Sequence, residues 1–154
     1  MTTYYLDTSA LVKRYLVEQG TTWIRQLSDP LVRNTIIISE VTLVEAAAAL
    51  AARYRGGFID LIERDAAVDL LLRHADTEYI LVPLGRTTID RALALTQQHR
   101  LRGYDAVQLA TALIVHAQYC AAGVPIMTFL SADNDLITAA RAEGVIADNP
   151  NLYP

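Results

Sequence analysis

The stretch 35-TIIISEVTLVEAAAAL-50 decides how the chain folds. Its first residues, Thr35-Ile36-Ile37-Ile38, form a β-branched run with no polar alternation. That pattern suits a strand buried on both faces, as in a parallel sheet covered by helices. Ser39 ends the run, and a long helix is expected to about Tyr54, broken by Gly56-Gly57. Working outward, Thr3–Leu6 reads as a short strand closed by Asp7-Thr8-Ser9. Helices follow from about Ala10 to Leu16 and from Thr21 to Leu27. Downstream, Phe58 to His74 is helical by spacing, and Glu78 to Val82 is a strand stopped by Pro83. Thr87–His99 and Asp105–Ala121 read as helices. Pro125–Leu130 reads as a strand, Asp133–Ala142 as a helix capped by Gly144, and Val145–Ala147 as a last strand. Asp148 to Pro154 reads as irregular. Strands alternating with helices argue a three-layer α/β/α sandwich around a mainly parallel sheet of about five strands. No repeat, low-complexity tract or linker interrupts it, so residues 1–154 read as one domain.

The chain has 154 residues, enough for a real core, and 53% of them are apolar, above the usual share. No apolar stretch approaches the roughly 18 residues of a membrane span. The N-terminus lacks the basic and apolar regions of a signal peptide. The single cysteine, Cys120, permits no internal disulfide and no cysteine metal site. A cytoplasmic protein is expected. The net charge of −4 does not by itself favour nucleic acid. Of the 13 cations all but Lys13 are Arg; arginine is the better fork for phosphate.

In open parallel sheets, ligands bind beyond the carboxyl ends of the strands. Asp7 ends the first strand, Glu45 lies shortly past the second, Asp133 follows the fourth, and Asp105 opens the helix before it. Each has an ordinary explanation as a helix cap or first-turn residue. Thr42-Leu43-Val44-Glu45 even fits a capping box. Taken together the explanation weakens. The helices carrying Glu45 and Asp105 are apolar on most sides, so these acids would crowd the buried end of a sheet. Carboxylates sharing a cleft repel, and a hard divalent cation such as Mg²⁺ or Mn²⁺ removes the conflict. Glu40 lies roughly 140° around the helix from Glu45 and does not share its face. Asp135 is a candidate to support Asp133 from behind. Thr8 and Ser9 read as hydroxyls that orient Asp7 or cap the next helix. The histidines make no site: His116 is roughly 16 Å along the helix from Asp105, and His74 and His99 fall near helix ends.

The segments YYLDTSALVKRYL, SEVTLVEAAAAL, LRGYDAVQLATAL and FLSADNDLITAARAEGV, taken in this order and spacing, resemble a PIN domain of the VapC toxin type. The resemblance implies that Asp7, Glu45, Asp105 and Asp133 form an acidic quartet that binds Mg²⁺ or Mn²⁺ and cuts single-stranded or looped RNA. It also implies a homodimer and a cognate antitoxin that blocks the site. A ribonuclease without an antitoxin, or an inert RNA-binding module of the same fold, are the alternatives. A phosphatase of the haloacid-dehalogenase type would need a second acid where Ser9 stands. Lys13, Arg14, Arg100 and Arg102 flank the acids and are candidate RNA contacts. Two helices, around Thr21–Leu27 and Phe58–Leu72, carry Trp23, Ile24, Phe58, Ile59 and Ile62. With a mean hydropathy of +0.24, the chain is expected to use such apolar faces for the dimer and the antitoxin.

Overall fold

Five parallel strands in the order β3-β2-β1-β4-β5 form the central sheet of the computed structural model, which describes residues 1–124 and 127–153. They are β1 (Thr3–Leu6), β2 (Thr35–Ser39), β3 (Tyr79–Val82), β4 (Met127–Leu130) and β5 (Ile146–Asp148). The helices are α1 (Thr8–Leu11), α2 (Thr21–Leu27), α3 (Glu40–Arg55), α4 (Leu61–Thr77), α5 (Arg86–Gln98), α6 (Gly103–Ala121) and α7 (Asn134–Ala142). The start of the expected fourth strand, Pro125-Ile126, lies outside the described residues, as does Pro154.

Isoleucines on both faces of β2 show why its pattern did not alternate. Ile36 and Ile38 join Leu6 and Leu130 in a core under α1–α4, while Ile37 joins Tyr5 and Phe129 in a second core under α5–α7. Crossovers between parallel strands are right-handed. The chain steps one way from β1 through β2 to β3, which puts α1–α4 on one face. It then returns past β1 to β4 and β5, which puts α5–α7 on the other. The direction reverses between β1 and β4, paired in register from Thr3–Met127 to Leu6–Leu130.

The expected helix from Ala10 to Leu16 is only α1 followed by a 3₁₀ turn, Val12–Arg14. The helix expected from Phe58 begins at Leu61. Asp60 caps it, accepting from the Glu63 N–H at 2.8 Å while Glu63 accepts from the Asp60 N–H at 2.8 Å. The C-terminal tail is less irregular than expected. A 3₁₀ turn, Pro150–Leu152, packs on Gly20, where a Cβ would meet the Pro150 carbonyl at 2.4 Å. Tyr153 stacks on Trp23 with ring centroids 4.0 Å apart. No helix of the described residues is long and apolar enough to cross a membrane.

Candidate active site

Asp7 stands where the strand order reverses. Its backbone N–H donates to the Leu130 carbonyl at 3.0 Å, so the pairing of β1 with β4 holds it in place. Its side chain is 5% exposed. Oδ1 accepts from the Ala10 N–H at 2.8 Å, capping α1, and from the Ser9 hydroxyl at 2.8 Å. Oδ2 accepts from the Ser131 hydroxyl at 2.7 Å. Among the described residues no lysine, arginine or histidine pairs with it. Burial pushes its carboxyl up to about 6, against the pull of the Ser131, Ala10 and Ser9 hydrogen bonds, and the nearby Glu45 charge adds to the rise.

Glu45, in the second turn of α3, is brought to Asp7 by the Thr8 hydroxyl, which donates to Oε2 at 2.5 Å. The same oxygen accepts from Gln108 Nε2 at 2.7 Å. The Thr42–Glu45 capping box that the spacing fits, the ordinary alternative for Glu45, does not form. α3 starts at Glu40, so Thr42 lies inside its first turn, and its hydroxyl pairs with Gln108 instead. Glu40 is an exposed first-turn residue of α3.

Asp105, in the first turn of α6, accepts from the Arg102 N–H at 3.1 Å through Oδ2. Burial raises its pKa, and the Asp133 and Glu45 charges add to that. Asp133 caps α7, its Oδ1 accepting from Asp135 N–H at 2.8 Å and Leu136 N–H at 3.2 Å. Its own N–H donates to the Ser131 hydroxyl at 3.0 Å. Capping is therefore real for Asp7 and Asp133, and Asp105 bonds back to its helix start. In Asp105 and Asp133 these bonds use one carboxylate oxygen of the two. Glu45 raises the pKa of both Asp7 and Asp105, and Asp133 raises that of Asp105. The acids thus share one field.

Among the described residues, no three histidine, cysteine, aspartate or glutamate side chains group closely enough to hold one metal ion. The donor set still suits Mg²⁺ or Mn²⁺: it is all oxygen, anionic and without a cation on Asp7. Mg²⁺ commonly takes only one or two carboxylates and keeps several waters, so a looser ring completed by water fits it.

The four candidate cations divide. Lys13 is 4% exposed, its ammonium bonded to Glu18 at 2.9 Å and to the Gln19 carbonyl at 2.9 Å. Arg14 is held by Glu78 at 2.6 Å, the Tyr79 hydroxyl at 2.7 Å and the Ser28 carbonyl at 3.1 Å. Tyr79 opens β3, so Arg14 lies at the amino end of the sheet, away from the acids. Neither offers a free cation to RNA, contrary to the expectation from their closeness to Asp7 in the chain. Arg100 and Arg102 are exposed and line a cavity of about 330 Å³ with His99, Asp105, Asp133 and Asp135. His99 is tied to Glu143 at 2.7 Å.

Sequence reading missed two members of this arrangement. Gln108 is 2% exposed and touches both Glu45 and Thr8. A polar residue in an apolar helix, one turn past Asp105, was its only signal. Ser131 is fully buried between Asp7 and Asp133; its signal was its place directly after β4, matching Asp7 after β1.

The sequence profile of the PIN domain matches residues 4–142. No curated protein sequence matches the chain significantly. Several solved structures share its fold. VapBC2 of Rickettsia felis, bound to a DNA fragment from the promoter, is 14% identical with a TM-score of 0.62, over 96% of this chain and 98% of that one. A toxin–antitoxin complex from Klebsiella pneumoniae is 18% identical with a TM-score of 0.59, over 96% and 97%. VapC20 of Mycobacterium tuberculosis, a sarcin–ricin loop cleaving toxin, is 16% identical with a TM-score of 0.61, over 98% and 99%. At these identities the likeness is one of fold.

Proposed function

The chain belongs to the PIN-domain family, and from that premise we propose that it is a Mg²⁺- or Mn²⁺-dependent endoribonuclease, the toxin of a toxin–antitoxin pair. One observation carries the reading: a buried aspartate that pairs with no cation among the described residues, at the reversal of strand order and beside Glu45, whose charge also reaches Asp105. Asp7, Glu45 and Asp105 would hold the ion, directly or through water, and Asp133 would hold a further ion or orient the attacking water. When bound, the ion neutralises phosphate charge and lowers the pKa of water. Thr8 and Ser9 keep Glu45 and Asp7 in place through their hydroxyls. Arg100 and Arg102 contact the RNA backbone beside the acids, and Asp135 shapes the wall of that cavity. Water attacks the phosphodiester in line and leaves 5′-phosphate and 3′-hydroxyl ends.

The cognate antitoxin would seat in a groove of about 560 Å³ lined by Val17, Phe58, Ile59, Arg25 and Arg53. Phe58 is 73% exposed there, and Ile62 beyond it 79%. Ile24, expected on this face, is fully buried, and Trp23 is stacked on Tyr153, so neither contributes an exposed contact. A homodimer is supported by Leu93 and Tyr104 on α5 and α6, 58% and 59% exposed. Its site of action would be the cytoplasm, where its RNA lies.

The test is cleavage of RNA by the purified protein with Mg²⁺ or Mn²⁺. Chelator and Asp7→Asn should each abolish it; intact RNA with either ion would overturn the nuclease. Size measurement of the pure protein should give a dimer. Cleavage that no neighbouring gene product inhibits would remove the toxin reading and leave the nuclease.

A further inference from the structure

Gln108 is buried among apolar neighbours on α6, yet every polar atom of its amide is engaged at the carboxyl end of the sheet. Its orientation is set from below. Tyr5 is fully buried, and its phenol carries a hydrogen to donate. That hydroxyl donates to Gln108 Oε1 at 2.9 Å. With Oε1 fixed there, Nε2 faces the acids and donates to Glu45 Oε2 at 2.7 Å and to the Thr42 hydroxyl at 2.9 Å. The reversed amide would set an oxygen against the carboxylate. Thr8 donates to the same Oε2. Among the described residues Glu45 Oε1 takes no hydrogen bond, so it is left for a ligand.

α3 and α6 cover opposite faces of the sheet. Gln108 spans between them, from one turn past Asp105 to the Glu45 carboxylate. We infer that Gln108 is a positioning residue for the ion site: it fixes Glu45 relative to Asp105 and keeps Oε1 open to the metal. The inference rests on the metal-dependent reading above and adds a residue that reading does not use. Partners that orient metal ligands in this way typically govern affinity by roughly 10- to 100-fold. A purely structural role for the network would change stability and leave metal affinity alone.

The experiment measures Mn²⁺ affinity by electron paramagnetic resonance, with Tm of the metal-free protein beside it, for the intact chain, Gln108→Met and Tyr5→Phe. Gln108→Met keeps the side-chain length and removes both donors; it should weaken Mn²⁺ binding roughly 10- to 100-fold. Tyr5→Phe leaves every contact of Glu45 in place and frees only the amide orientation; it should weaken binding by less. The double variant should bind no more weakly than Gln108→Met alone, since both act through one amide. Mn²⁺ affinity unchanged in both single variants overturns the inference and spares the nuclease. If Gln108→Met does not fold, an unchanged affinity in Tyr5→Phe overturns it alone. An intact chain that binds no Mn²⁺ overturns both.

Discussion

The carboxylate of Asp7 caps α1 and lies buried near Glu45, and among the described residues no cation pairs with either. Its pKa rises from 3.8 to about 6, so the folded state holds a proton that the unfolded chain releases. The stability from that neutral form is fully present below about pH 4 and is lost as pH rises through about 6, at most about 3 kcal/mol. In chelator near neutral pH, Asp7→Asn should therefore raise Tm by several degrees, and the gain should vanish near about pH 4. A fall in Tm at neutral pH would mean that the hydrogen bonds of the ionised cap outweigh the cost of burying its charge. Side-chain partners decide the cations as well. Arg14→Ala should lower stability by about 2 kcal/mol or more, because Glu78 loses its charged partner. Thermal melts of Arg102→Ala, which is exposed, should move little. Sequence distance from Asp7 suggested a shared role for Lys13 and Arg14. It could not reveal Glu78 and Tyr79, which reach Arg14 from a distant part of the chain, or that Lys13 turns to Glu18.

Elements were more legible than contacts, because strand and helix signals are local. The unbroken Ile36–Ile38 run gave a strand buried on both faces, and β2 is one. The helix starts were less clear. Asp60 and Glu63 form a true capping box at α4, while the apolar spacing from Phe58 ran past it. Thr42 and Glu45 had the right spacing at the wrong place, since only the residue preceding a helix can cap it. Asp60→Ala should cost about 1 kcal/mol in a denaturant melt and leave RNA cleavage unchanged. The short 3₁₀ turns at Pro30–Val32 and Pro150–Leu152 left no periodic trace. Strand order was not readable either, because parallel pairing leaves no turn between partners to mark it.

Over the whole molecule the net charge is −4, with acids gathered at the carboxyl end of the sheet. RNA bound as proposed above would then be held by few local cations, and Arg100 and Arg102 are an exposed pair beside Asp105. Substituting either by Ala should weaken RNA binding evenly across sequences and lower the salt slope of log K by about 1; an unchanged slope would put the backbone contact elsewhere. The placing of β1 at the centre has a consequence for how the protein comes into being. β1 is made first, but its neighbour β4 and the Ser131 hydroxyl on Asp7 come 124 residues later. Pairings so distant in sequence are slow to form and cannot form before the chain exists. During synthesis Asp7 therefore emerges from the ribosome without the strand and serine that hold it. For the ribonuclease proposed above, this order would leave the site unassembled, and the ribosome and message producing it uncut, until β4 and Ser131 have been made.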